Sequence, residues 1–396
     1  MAIANKEIFQ KYCCGCGLCH SVNRTEMDVD EKGFPHAILS GQDVKWCIHI
    51  CPAGSENARK QMQLLKDLWG DTEKVLLGWS NDSYVRRTAS SGGVLSELCI
   101  YLLDHHIVDG IIQTRAGKVS IETETVISRT REDILSCAGS RYSISSPLMN
   151  LKQMIHGDES YAFVGKPCDV SALKMYLRQD EKLKNQIKYC FSFFCAGEPS
   201  RSSNEVLLSE LGSDCSRCVN LTYRGNGWPG NTSVTNKDGS GQAMSYENSW
   251  GRILGRDIRP FCRFCMDGIG LLADISCGDA WYMTDAGEPD FSENEGRNVI
   301  FARTPIGAAL VEEAEKENYI QVVNYNNYQN ELCHIQRYQY ERKATMYSML
   351  CALMFFRKAA PCYDMRELRS FFTKVPIKKQ VRKFLGTCKR IMNGKI

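Results

Sequence analysis

Residues 262–279 read CRFCMDGIGLLADISCGD. Cys262 and Cys265 stand three apart, and Cys277 follows just ahead of Gly278-Asp279. A Cys-x2-Cys turn aims both sulfurs at one metal centre, because the intervening N–H groups can turn toward it. By itself the pair fits zinc or iron–sulfur ligation. Upstream, residues 13–19 read CCGCGLC and residues 47–52 read CIHICP. In Cys13-x2-Cys16-x2-Cys19, Gly15 and Gly17 allow the tight wrap that a cubane needs. A ferredoxin pattern continues with a fourth cysteine and a proline, yet residues 20–39 contain no cysteine. The fourth ligand is therefore expected at Cys51, before Pro52, with Cys47 competing and Cys14 a spectator. Gly-rich Cys-x2-Cys-x2-Cys with a later Cys-Pro favours iron–sulfur; a structural zinc knuckle is the alternative.

Composition narrows the class. The chain has 396 residues, enough for two or three domains, and 43% hydrophobic residues can fill a core. A net charge of +3 gives no basis for nucleic-acid binding. Twenty cysteines would mean disulfides in a small secreted protein. Here MAIANKEIFQKYCC has no basic segment followed by an apolar one, so it does not read as a signal peptide. No apolar run reaches bilayer length. A reducing cytoplasm is the expected setting, with thiols as metal ligands or small buried hydrophobes.

The middle of the chain alternates strand and helix, the mark of an α/β fold. ENARKQMQLLKDLW (56–69) reads as an amphipathic helix and VLLGWS (75–80) as a strand. Ser90-Ser91-Gly92-Gly93 forms a bare loop before a helix over 94–106, then a strand over 108–113. Such a loop is an anion site or a plain helix start with glycines for close packing. Residues 160–178 read as strand, Gly165-Lys166-Pro167-Cys168 turn and helix; residues 187–211 repeat the plan, with the strand ending at Cys195. Cys168 and Cys195 thus follow two strand ends, which share one rim in a mostly parallel sheet. For each, a buried inert thiol is the alternative. The Gly- and Asn-rich residues 223–259 suggest a hairpin or lid, and 296–316 a strand plus helix with Arg303 at the strand end.

The last 25 residues, 372–396, carry eight Lys/Arg, from Lys374 to Lys395, and no acid. Ile377, Val381, Phe384 and Leu385 fall on one helical face. A basic amphipathic helix of this kind can lie on an anionic membrane, dock on an acidic partner or stay solvated.

The ordered set CCGCGLC…CP, SSGGVLSEL, GSRY (139–142), GKPCDVSALK, FFCAGEPS, CRFCMD, ADISCGD and NVIFARTPIG resembles the coenzyme F-420 hydrogenase/dehydrogenase beta-subunit family, over residues 11–325. The resemblance implies an α/β (α+β) architecture. An N-terminal ferredoxin-like iron–sulfur segment (1–70) would precede a mixed α/β flavin-binding domain (71–325) and a C-terminal helical extension with the basic tail (326–396). It implies two 4Fe–4S clusters and FAD. The first cluster would use Cys13, Cys16, Cys19 and Cys51; the second would use Cys168, Cys195, Cys262 and Cys265. Ser91, Gly92, Gly93, the Gly139-Ser140-Arg141-Tyr142 segment, Lys166, Asn298 and Arg303 would face the flavin. The implied activity is an oxidoreductase passing electrons to a partner such as ferredoxin or a reduced coenzyme. Family members include stand-alone enzymes and subunits that need a catalytic partner. Some bacterial relatives accompany polysaccharide synthesis, so a sugar-linked substrate stays open.

Overall fold

The computed structural model describes residues 6–394 and residue 396. Met1–Asn5, from the segment read for a signal peptide, and Lys395 of the basic tail lie outside the described residues.

Eight strands form the main sheet: β1 (Lys74–Ser80), β2 (Gly110–Ala116), β3 (Thr123–Ser128), β4 (Tyr161–Gly165), β5 (Ile187–Phe193), β6 (Ile275–Asp279), β7 (Asn298–Ala302) and β8 (Ile320–Asn324). Their order is β8-β1-β7-β6-β5-β4-β2-β3. The four central strands β6, β5, β4 and β2 run parallel. The flanks are antiparallel: β7 on β6, β1 on β7, β8 on β1, and β3 on β2. The sheet is therefore mixed, and parallel only at its centre. Continuous apolar runs such as Tyr161-Ala162-Phe163 make the central strands, because both of their faces are covered.

Helix α1 (Val94–Asp104) packs its Val94, Leu98 and Leu102 into the apolar layer on one side of the sheet, together with α4 (Pro305–Lys316). Helix α2 (Pro167–Tyr176) opens with Pro167 in its first turn, where a missing N–H costs nothing, and Asp169 caps the Lys166 N–H at 3.0 Å. Helix α3 (Arg201–Glu210) starts on Ser200, whose hydroxyl accepts from Ser203 N–H.

The helix expected over 56–69 ends earlier, at Leu64, and the Gly/Asn-rich stretch is a turn within a small three-stranded sheet that begins at Cys218. A π-helix, Glu247–Ile253, follows it. Toward the C-terminus lie α5 (Arg337–Ala344), α6 (Met346–Phe355) and α7 (Ile377–Met392). One apolar core joins the N-terminal segment (Phe9, Tyr12), the α/β body (Phe163, Phe261) and the C-terminal helices (Leu350). Tyr12 also donates to Ala359 O at 2.7 Å. No helix among the described residues is long and apolar enough to cross a membrane.

Candidate functional site

Parallel strands bring their C-terminal ends to one rim. Cys168 follows β4 on the first turn of α2, and Cys195 follows β5. Cys262 lies on the short helix Pro260–Arg263 and Cys265 just beyond it. All four line one small cavity, joined by Cys14 from the N-terminal segment. Burial pushes the thiols of Cys195, Cys262 and Cys265 up; for Cys168 contact with Cys14 comes first and burial second. Ligation of a metal centre would require these thiols to be deprotonated. Glu198 N–H donates to Cys262 Sγ at 3.4 Å.

The buried Arg342 reaches the same cavity. It donates to the carbonyls of Cys195 and Cys262, both at 3.4 Å, while its Nε has no partner among the described residues. Four thiolates and a cubane carry net negative charge, so a buried cation with an unsatisfied N–H at the cavity wall fits that occupant.

A second thiol group lies in the N-terminal segment. Cys13, Cys19, Cys47 and Cys51 are close enough that each would feel its neighbours' charge. Burial, then Cys13, pushes both Cys19 and Cys47 up to about 12. Cys47 sits in the last turn of helix Gly41–Ile50, and Cys51 caps that helix by donating its N–H to Cys47 O at 3.0 Å. Both competitors for the fourth position are therefore in the group. The Cys16 thiol is turned toward Cys14, which in turn neighbours Cys168, and it also lies near enough to Cys19 to feel its charge. Cys14 thus stands between the two groups. Among the described residues, no three His, Cys, Asp or Glu side chains converge to hold a single metal ion.

A large cavity of about 850 Å³ opens beside the core thiols. Ser91, Gly93, Gly139, Ser140, Arg141, Tyr142, Lys166 and Asn298 line it. Ser140 Oγ donates to Ser90 Oγ at 2.8 Å, closing the 139–142 segment onto the glycine loop. Asn298 fixes that loop to the sheet: its Nδ2 donates to Gly278 O, and its Oδ1 accepts from Val94 N–H, both at 3.3 Å.

Two expected residues are placed otherwise. Gly92 does not line the cavity; a Cβ there would meet Asn298 N, Asn298 Oδ1 and Gly78 O, each at 2.8 Å. Its missing side chain serves close packing between loop and sheet. Arg303 follows β7, which runs antiparallel to β6, so its strand end falls on the opposite rim. There it donates to the carbonyls of Trp69, Asp71 and Ile269 at 3.0–3.2 Å, and burial lowers it to about 10.

Lys166, Cys195, Gly197 and Glu198 line both cavities and form the wall between them. Lys166 Nζ pairs with Asp169 at 3.2 Å and Glu198 at 3.3 Å. Glu198 also pairs with Arg259 at 2.6 Å, and Arg259 donates to Pro35 O (2.8 Å) and Cys13 O (3.3 Å). Burial alone would raise the Glu198 carboxyl, but Arg259, Lys166 and the Ser145 N–H together hold it below its usual range. One buried ionic chain thus ties the backbone of the N-terminal cysteine segment to the wall of the large cavity.

Sequence reading missed Glu198, Arg259, Arg342 and Arg224. The buried Arg224 lines the large cavity and holds Asp279 through two bonds of 2.9 and 3.0 Å. Its Nη2 also donates to Ser90 O at 2.7 Å, bracing the glycine loop. The only signal was the glycine density around it, YRGNGWPG. Trp250, on the π-helix, completes an aromatic side of the cavity against Tyr142, with ring centroids 4.7 Å apart.

Comparison with known proteins follows the same outline. The family model for the coenzyme F420 hydrogenase/dehydrogenase beta subunit N-terminus matches residues 75–153, and that for its C-terminus matches residues 158–328. The coenzyme F420 hydrogenase subunit beta of Methanosarcina barkeri is 24% identical over 235 residues, covering 58% of this chain and 74% of that protein. The one from Methanococcus voltae is 22% identical over 280 residues, covering 69% and 92%. Coenzyme F420-dependent sulfite reductase of Methanocaldococcus jannaschii is 23% identical over 328 residues, covering 77% and 46%. A chain of the F420-reducing [NiFe] hydrogenase complex from Methanosarcina barkeri shares the fold, with a TM-score of 0.58 at 20% identity, covering 74% of this chain and 97% of that one.

Proposed function

The chain belongs to the coenzyme F420 hydrogenase/dehydrogenase beta-subunit family, a family of oxidoreductase subunits, and on that premise we propose that it is an iron–sulfur flavoprotein. In this reading it carries two 4Fe–4S clusters and FAD and relays electrons to a redox partner such as ferredoxin or a reduced coenzyme. A flavin exchanges electrons singly or in pairs, whereas a cluster moves one, so the two together connect hydride chemistry with single-electron flow.

The observation that carries the reading is the shared wall. A thiol-lined cavity and a large polar and aromatic cavity meet at Lys166, Cys195, Gly197 and Glu198. Cys168, Cys195, Cys262 and Cys265 would hold the inner cluster. Cys13, Cys16, Cys19 and Cys51 remain the proposed set for the outer one, with Cys47 beside them. Arg342 and Arg259 offset the negative charge of the ligated thiolates. Ser91, Gly93, Ser140, Arg141 and Asn298 would orient the flavin, Lys166 would face it with a positive charge, and Tyr142 and Trp250 would keep water from it.

The names of its relatives, hydrogenase and formate dehydrogenase subunits, favour work alongside a catalytic partner. The test is a count on one anaerobically purified sample. The ligand set implies about eight irons with matching acid-labile sulfide and one FAD per chain. Stoichiometric zinc with no sulfide and no flavin would overturn the reading.

A further inference from the structure

Helix α7 is fixed to the body along one side. Its buried residues are Gln380, Thr387, Cys388 and Ile391. Gln380 donates to Ala344 O at 2.9 Å and Phe372 O at 2.7 Å and accepts from Ser348 Oγ at 2.7 Å. Lys379 pairs with Glu341 of α5. The helix is therefore a held element with a defined outer face.

At about 100° per residue, Ile377, Val381, Leu385 and Met392 share a stripe about 80° wide, with the buried Cys388 at its seam-side edge. They are 64%, 50%, 59% and 67% exposed. Lys378, Arg382 and Lys389 border the stripe's outer edge. Across the seam, α6 ends in Met354 and Phe355, and the Phe355 ring is 73% exposed, 6.5 Å from that of Phe384. The apolar ridge thus spans two helices. Residues 354–396 hold twelve Lys/Arg against Asp364 and Glu367.

We propose that this ridge seats on a membrane surface bearing anionic lipid. Phe355, Ile377, Val381, Leu385 and Met392 enter the headgroup–acyl boundary, and Lys378, Arg382 and Lys389 meet lipid phosphates. Long cations at the edge of an apolar stripe lay their stems along it and extend their heads to charge, the pattern of an interfacial helix. The charge of the segment fixes the sign of the surface. Lys379 also ties α7 to α5, which carries Arg337 and Tyr338 into the wall of the large cavity. The proposal does not depend on the redox reading.

The test is co-sedimentation of the full chain with vesicles of phosphatidylcholine alone or mixed with phosphatidylglycerol, at low and high salt. Partition into the mixed vesicles at low salt is expected, weakened by salt. Lys378→Gln and Lys389→Gln should each weaken it roughly fivefold. Phe355→Ser with Leu385→Ser should weaken it further at both salt levels, with circular dichroism unchanged because both side chains are exposed. Failure to bind mixed vesicles at low salt, or binding indifferent to all four changes, overturns the proposal. So does binding of soluble polyglutamate without vesicle binding, which points to an acidic protein partner. A concentration-dependent dimer abolished by Phe355→Ser would make the ridge a self-interface and overturn it as well.

Discussion

The two thiol groups are built in opposite ways. Cys13, Cys19, Cys47 and Cys51 come from the first 51 residues, on short helices and loops where local turns set the sulfur positions. Cys168, Cys195, Cys262 and Cys265 come from three separate stretches: parallel strands bring the first two to one rim, and the Pro260–Arg263 helix lays the other two against the same cavity. The first group is a local motif; the second is a property of the sheet. Between them run Cys14 and the Arg259–Glu198–Lys166 chain. The difference teaches where each group is vulnerable: the N-terminal one to changes in its own loops, the core one to anything that moves strands.

The sharpest way to break this comparison is to remove one group at a time. Cys262→Ser should lose roughly half of the iron and keep the N-terminal cluster's spectroscopic signal; Cys13→Ser should do the reverse. Iron analysis and electron paramagnetic resonance on folded protein decide. Loss of all iron from either variant would make the two groups one cooperative site. Running Cys47→Ser beside Cys51→Ser tells which thiol the outer cluster needs.

The ionic chain offers the next test. Arg259→Met leaves Glu198 buried with Lys166 as its remaining cation and frees the Pro35 and Cys13 carbonyls. Breaking such a buried pair costs about 3–5 kcal/mol, read from denaturant unfolding. Adding Glu198→Gln should recover part of the loss, because the stranded charge is gone. Equal losses in single and double variants would mean that Arg259 acts only through the N-terminal carbonyls.

A smaller effect separates packing from anion binding at the glycine loop. Gly92→Ala would press on Asn298 and Gly78, costing about 1–3 kcal/mol, and flavin content should fall together with thermal stability. Reduced flavin in a variant of unchanged stability would restore the anion-cradle role to Gly92.

The smallest effect is in pH. The Glu198 carboxyl is held low in the folded protein, so its contribution is fully present above the ordinary glutamate value of about 4.3. It is lost as pH falls from there through the lower folded value. The slope of stability against pH below about 5 should therefore be shallower in Glu198→Gln. Identical slopes would place the acid sensitivity elsewhere.

Much of the site could be read before the fold was seen. The Cys-x2-Cys spacings, the Ser-Gly-Gly loop and the Gly-Lys-Pro-Cys turn are local features, and local geometry fixes what they present. Strand and helix alternation through residues 160–211 follows from apolar runs and caps that short-range sterics enforce. The tertiary structure decided what depends on strand direction and on distant partners. It sent Arg303 to the far rim because β7 runs antiparallel, a choice no property of Asn298–Ala302 reveals. It gave Gly92 a packing role through Gly78 and Asn298, and it put Cys14 beside Cys168. It also buried Arg259, Glu198 and Arg342, which look like surface residues in the sequence because a charge enters a core only when a partner remote in the chain awaits it there.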